Sequence, residues 1–271
     1  MEFERGLAEF RAEVRALTRL TSTDDLSTDR VAFARALGID LDPWQAKLLA
    51  SDSKRDILSC SRQVGKSTAA LLALHEALYV PGSVAVLVSP TQRQSSELFR
   101  KVTELRAALP YPPALLEDNR LSLSVAGGGR VLSLPGSEAT IRGVSVSAVS
   151  LLIVDEAARV PDELRLATRP MLAVRNGRAV LASSPFGKRG FFWEVWDEGT
   201  GWLKTRVPAS EVPRISAEFL EEERRSMPTM WFLQEYMAEF QQAADSVFSY
   251  DDVMGALSDD ISPLFPEGIA P

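Results

Sequence analysis

One cysteine and one histidine are all that 271 residues offer to thiol and imidazole chemistry. A lone Cys60 excludes an internal disulfide and a thiolate zinc cluster, and it suits a reducing cytoplasm. A lone His75 excludes catalysis or metal binding that needs paired imidazoles. Positive charge is short as well: 30 Lys and Arg stand against 37 Asp and Glu, a formal net charge of -7. No overall positive field draws nucleic acid to such a chain, so any contact with it must come from a local patch. No apolar run approaches membrane-spanning length, so no membrane partner is expected. The opening Met1-Glu2-Phe3-Glu4-Arg5 lacks the cationic and apolar regions of a signal peptide.

What is present is ordinary globular material, 45% hydrophobic and 25% charged, enough for one large or two modest domains. Phe3, Leu7, Phe10, Val14 and Leu17 recur at helical spacing over residues 2–20, and a polar loop over 21–28 leads to a helix over 29–37. Asp42-Pro43 opens a further helix that carries Gln45, since proline suits a first helical position. A strand ends in the turn Ser61-Arg62-Gln63-Val64-Gly65-Lys66-Ser67-Thr68, and an Ala- and Leu-rich helix follows to Tyr79. Strand 83–88, helix 92–108 and a break at 110–113 come next. Two strands, 121–125 and 131–134, flank Gly127-Gly128-Gly129; with no helix or lysine after it, that triplet reads as a hairpin turn. A polar stretch over 137–147 precedes Leu151-Leu152-Ile153-Val154-Asp155-Glu156, a buried strand ending in two acids. A strand over 178–181 leads to Ser183-Ser184. Helix 190–196, an outer strand over 202–207, helices 218–225 and 229–240, and a turn-rich tail over 251–271 complete the chain. Strands alternating with helices predict an α/β three-layer domain with a mostly parallel sheet.

A strand, a polar loop and a helix opening at Lys66-Ser67 form the layout of a phosphate-binding P-loop. Loop amides and the helix N-terminus point at one anion, Lys66 adds a point charge, and the Ser67 hydroxyl suits Mg²⁺. The usual first glycine is replaced by Cys60, so the motif stands on its companions. Asp155 is placed to hold Mg²⁺ through water and Glu156 to polarise an attacking water; the alternative is a pair of helix-capping acids. Arg62 inside the loop and Arg142 before the Asp-Glu strand compete for a γ-phosphate, Arg142 from a neighbouring subunit or else in a surface ion pair. Ser183 and Ser184 either sense that phosphate or cap the next helix. Gln45 presents an amide that matches an adenine edge, or is a surface glutamine.

Together these residues resemble the ATPase domain of the large terminase subunit, the DNA-packaging motor of tailed bacteriophages. The resemblance rests on Ser61 to Ser67 as a deviant P-loop, Trp44-Gln45 as the adenine-side glutamine, and residues 151–156 as the metal-binding strand. Ala182-Ser183-Ser184-Pro185 is similar to its coupling motif, Ile141-Arg142-Gly143 to its trans-acting arginine, and residues 232–240 to the segment closing its ATPase region. It implies a RecA-like P-loop NTPase fold of the ASCE class with a small lid or linker subdomain. The expected divisions are a helical arm (1–40), an ATPase core (41–210), a lid or linker (211–248) and a tail (249–271). It implies ATP hydrolysis with Mg²⁺, with nucleotide contacts from Gln45, Ser61, Arg62, Gln63, Val64, Gly65, Lys66, Ser67 and Thr68. Catalytic roles fall to Glu156, Arg142, Arg62 and Lys66, metal binding to Ser67 and Asp155, and coupling to Ser183 and Ser184.

The implied partners are double-stranded DNA, a portal protein, a small terminase subunit and copies of itself in a ring, expected to be a pentamer. The implied location is the host cytoplasm rather than the mature virion. Lys188 and Arg189 are the expected DNA contacts. The resemblance also implies a following RNase H-like nuclease. The chain closes at Pro271, soon after residues 246–248 where that handover falls, so no nuclease activity is expected of it. Two other readings share parts of the motif set. One is a superfamily 2 helicase, which needs a second RecA-like domain; the other is a nucleotide-gated assembly module without significant turnover.

Overall fold

The computed structural model describes residues 23–61, 67–109, 112–136, 148–242 and 255–256. The expected helix over 2–20, the loop residues 62–66, the stretch 137–147 and nearly all of the tail lie outside them. Eight strands form one sheet: β1 (Arg55–Cys60), β2 (Val84–Ser89), β3 (Leu115–Asn119), β4 (Ser122–Val125), β5 (Arg130–Pro135), β6 (Leu151–Asp155), β7 (Arg178–Ser183) and β8 (Leu203–Val207). Their order is β3-β4-β5-β2-β6-β7-β1-β8. From β5 to β8 all neighbours are parallel, and β3-β4-β5 is an antiparallel extension. The central strands β1, β2, β6 and β7 are buried on both faces as parallel strands between helices must be, with continuous apolar runs in β2 and β6.

Side chains alternate between two apolar layers. One face takes Leu58, Leu87, Ile153 and Val180 and is covered by α2 (Arg30–Ala36), α3 (Pro43–Ala50), α4 (Ser67–Tyr79) and α5 (Gln92–Ala107). The opposite face takes Ile57, Val86, Leu152, Val154 and Leu181 under α6 (Glu163–Thr168) and α7 (Gly190–Asp197). At the amino ends of the strands, Arg178 donates from Nε to Asp56 Oδ2 at 2.9 Å and from Nη2 to Leu48 O at 3.0 Å, tying α3 to the sheet. Burial raises the Asp56 carboxyl above its ordinary range despite this partner.

Four elements depart from the sequence expectation. The polar residues Thr23–Thr28 form a helix, α1, rather than a loop. They carry no apolar period; a long-range bond from His75 Nε2 to Leu26 O (2.9 Å) holds them on α4. Asp29 then caps α2, accepting from Val31 N at 2.8 Å and Ala32 N at 3.0 Å. β3 was hidden by its acidic sequence, and its edge is held by Glu117 accepting from Ser122 Oγ at 3.0 Å. Between β6 and β7 stand α6 and a 3-10 turn, Arg169–Leu172, that no sequence signal announced.

The last expected helix, 229–240, ends early as α9 (Thr229–Glu235), after α8 (Ala217–Ser226). The chain turns back through Ala238, a left-handed residue at φ 54°, whose carbonyl accepts from Ser59 Oγ at 3.0 Å. Arg206 fastens the same strap, donating to Met237 O at 2.9 Å and Glu239 Oε1 at 2.7 Å. Phe240 then packs among Phe192, Trp193 and Trp196, with centroids 4.8–5.8 Å away. These contacts outweigh the helical pattern of 236–240. No helix among the described residues is long and apolar enough to cross a membrane.

Candidate nucleotide-binding site

The connection after β1 runs to α4 on one face, whereas those after β6 and β7 run to α6 and α7 on the other. The reversal makes the carboxyl ends of β1 and β7 the topological switch point, the position where open α/β sheets bind ligands. Ser61 roots the loop at this rim. Its amide donates to Val207 O at 2.9 Å, and its fully buried hydroxyl has no hydrogen-bond partner among the described residues. Arg62, Gln63, Val64, Gly65 and Lys66 lie outside the described residues, as does Arg142. Ser67 opens α4, immediately beyond the loop.

The acids reach the same rim. Leu58 pairs with Ala182, which pairs in turn with Asp155, so β7 alone separates the loop strand from Asp155. Strand alternation puts Asp155 with Leu151 and Ile153, on the face that α4 covers. A half-buried carboxylate there is a hard-oxygen donor of the kind that fits Mg²⁺. Among the described residues no group of three or more His, Cys, Asp or Glu gathers as a metal cluster. An ion here would draw its remaining ligands from phosphate and water.

Glu156 follows in the left-handed region at φ 53° and ψ 42°. A glutamate there costs of order 1–3 kcal/mol, the kind of strain that gathers at functional positions. It precedes the 3-10 turn Ala157–Arg159, yet makes no side-chain cap, so the helix-capping alternative does not describe it.

Ser183 pairs with Ser59 across β7 and β1, and both Ser183 and Ser184 are buried. Ser183 Oγ donates to Ser184 O at 2.8 Å. Neither serine caps α7. That work is done by Asp162, whose Oδ1 accepts from Phe191 N at 2.8 Å. The two loops beyond Glu156 and Ser184 are thus pinned together, and the Arg159 and Arg189 guanidiniums stand 4.3 and 4.9 Å from the Phe186 ring. Lys188 lies 5.6 Å from the Trp193 ring. Stacked guanidiniums and a cation over an indole form a small basic-aromatic patch beside the rim.

Gln45 is buried rather than a surface glutamine. Its Oε1 accepts from Asp42 N at 2.8 Å and its Nε2 donates to Thr68 Oγ1 at 3.0 Å. Asp162, Phe186, Arg159 and the strap residue Ser59 were not singled out by sequence. Asp162 sits in an ordinary Val-Pro-Asp-Glu helix start, and its partner lies 29 residues away.

Sheet order, the switch point and the helix that opens at Ser67 after the Gly65-Lys66 sequence define a P-loop nucleotide-binding domain of the RecA-like kind. Residues 57–254 match the family model described as terminase large subunit, T4likevirus-type, N-terminal. This chain belongs to that family. It is 30% identical over 257 residues to the large terminase subunit of Thermus virus P23-45, covering 82% of this chain and 53% of that protein. Identity with the large terminase subunit of Escherichia phage T5 is 26% over 204 residues, 72% of this chain and 46% of that one. The chain therefore spans about half the length of the curated relatives it matches. The solved large terminase ATPase domain of Thermus phage P74-26 superposes at a TM-score of 0.66 and 26% identity, over 78% of this chain and 98% of that one. The large terminase of a thermophilic bacteriophage, solved in complex with ADP, shares the fold at a TM-score of 0.61 and 14% identity, over 74% of this chain and 54% of that one.

Proposed function

We propose that this chain is the ATP-hydrolysing motor domain of a viral DNA-packaging terminase, driving double-stranded DNA into a procapsid. The observation that carries this reading is the placement of Asp155 and left-handed Glu156 one strand from the P-loop strand, on a fold matching a terminase ATPase domain. The loop from Ser61 to Lys66 and the first turn of α4, Ser67 and Thr68, seat the phosphates, and Gln45, which the family resemblance assigns to the adenine side, stands behind them on Thr68. Ser67 and Asp155 would hold Mg²⁺, which when bound neutralises phosphate charge. Glu156 takes the proton of the attacking water, and Arg62 grips the γ-phosphate in a bidentate fork. Arg142 reaches the nucleotide of a neighbouring copy. Ser183 and Ser184 register loss of the γ-phosphate, and Lys188 and Arg189 meet the DNA backbone. A homo-oligomeric ring, a pentamer by the family resemblance, a portal protein and a small terminase subunit complete the machine in the host cytoplasm.

Steady-state ATP hydrolysis tests the assignment. Glu156→Gln is expected to lower kcat by about 10²–10⁴-fold while ATP affinity is kept. Wild-type turnover in that variant would overturn it. With duplex DNA added, Lys188→Glu combined with Arg189→Glu should remove stimulation and flatten its salt dependence. Unchanged stimulation would move the DNA face elsewhere.

A further inference from the structure

A continuous polar chain runs from the segment after β8 to the first turn of α4. Arg214 grips Asp42 with both arms of its guanidinium, Nη1 to Oδ1 at 3.3 Å and Nη2 to Oδ2 at 2.8 Å. The backbone N–H of Asp42 donates to Gln45 Oε1 at 2.8 Å, and Gln45 Nε2 donates to Thr68 Oγ1 at 3.0 Å. Asp42, Gln45 and Thr68 are 7%, 5% and 2% exposed. Arg214 is the one member that reaches solvent, with about half of its side chain accessible. The members stand 172 and 23 residues apart in sequence, so the chain exists only in the folded molecule.

Its geometry has a direction. The carboxylate of Asp42 is held at the entrance of α3, and a planar fork fixes its orientation as a single-point contact does not. Asp42 joins the two contacts: the fork restrains the residue through its carboxylate, and its backbone N–H selects the Oε1 face of the Gln45 amide. Gln45 in turn holds Thr68, the residue after Ser67, in the first turn of α4, where helix N–H groups without an intrahelical partner can receive an anion. We propose that Arg214 and Asp42 are positioning residues for the phosphate seat, acting through Gln45 on Thr68. The inference rests on the reading that ATP phosphates lie at the start of α4. It adds that the segment leading into α8 and α9 braces that seat from 172 residues away. The brace acts on phosphate, so it strengthens ATP and GTP alike, separately from any contact of Gln45 with the base.

Equilibrium calorimetry and steady-state kinetics with magnesium ATP and magnesium GTP test this. Arg214→Gln is expected to raise the Kd and KM for both nucleotides by about 3- to 10-fold, the loss of one partly exposed charge-assisted contact, with kcat kept. Asp42→Asn should act in the same direction. Arg214→Lys, which keeps charge but not the fork, should fall between. A merely structural role would lower the melting temperature and leave the KM unmoved, which would overturn the proposal. Weakening of ATP but not GTP would overturn the route through Thr68. Lys66→Ala separates the two layers of the argument. If it abolishes ATP binding while Arg214→Gln binds as wild type, the brace is wrong and the phosphate seat stands. If Lys66→Ala binds ATP normally, the seat and the brace fall together.

Discussion

His75 shows how a single buried side chain makes this fold sensitive to acid. It stands on the α4 face that receives α1 and α2, with its ring 5.3 Å from Phe33 and 4.9 Å from Tyr79. Its Nε2 faces the Leu26 carbonyl, which only accepts, so the neutral ring carries its proton there. Burial pushes its pKa down from 6.5 to about 4, and the Leu26 carbonyl only partly opposes this. The folded state therefore refuses a proton that the unfolded chain takes up once the pH falls below 6.5. Stability from this residue is complete above that value and is lost progressively toward pH 4. By pH 5 the loss amounts to about 2 kcal/mol. Asp56, raised by burial, works in the opposite sense, since stability from it falls as pH rises through its folded value. Comparison with His75→Phe isolates the imidazole. That variant keeps a ring but has nothing to titrate, so its melting temperature should fall by several degrees less between pH 7 and pH 5. Equal drops in both proteins would remove His75 as the cause.

At the scale of elements, the glycine triplet separates two demands that the sequence merges. Gly127 and Gly128 take φ of 111° and 88° and make the β4–β5 turn, as its composition indicated. Gly129 serves a different need, because a Cβ there would lie 1.9 Å from the Ala77 carbonyl oxygen of α4. The hairpin tip thus abuts the backbone of the P-loop helix. Gly129→Ala is expected to cost about 1–3 kcal/mol by overpacking, read as a lower denaturation midpoint with an unchanged slope. A variant as stable as wild type would show that the hairpin yields freely. Elements of this kind were legible where one local pattern decides them. Residues 151–156 read as a central strand because a strand buried on both faces has no polar positions, and its two acids stand where it leaves the sheet. α1 was illegible because its polar residues owe their conformation to His75, 49 residues along the chain, and β3 because an exposed edge strand with acidic residues shows no apolar pattern even though its partner β4 follows at once. The same holds at the site. Ser61, Asp155, Glu156 and Ser183 could be named from motif spacing, whereas Asp162 on Phe191, Ser59 on Ala238 and Arg214 on Asp42 are long-range contacts that spacing does not encode.

The whole molecule raises the question of charge neutralisation at the γ-phosphate. Its own chain places Lys66 and Arg62 in the loop, and Asp155 and Glu156 add negative charge at the same rim. A dissociative phosphoryl transfer spreads charge over three oxygens, and an arginine supplied from outside is worth about 10³–10⁵ in rate where such fingers act. Arg142, beside Gly143 in the sequence before β6, is the candidate finger of a neighbouring copy. If each site is completed by its neighbour in this way, a single chain turns over slowly. Specific activity should rise with protein concentration, in contrast to an enzyme whose site is whole. Mixing sharpens this. Arg142→Ala subunits carry an intact Glu156, and Glu156→Ala subunits carry an intact finger. A neighbouring pair of the two therefore rebuilds one working site from two inactive proteins. Activity of the mixture should exceed the sum of the parts at the same total concentration. Specific activity independent of concentration, together with a mixture no more active than its components, would return Arg142 to its own chain and leave Arg62 as the sole arginine at the phosphate.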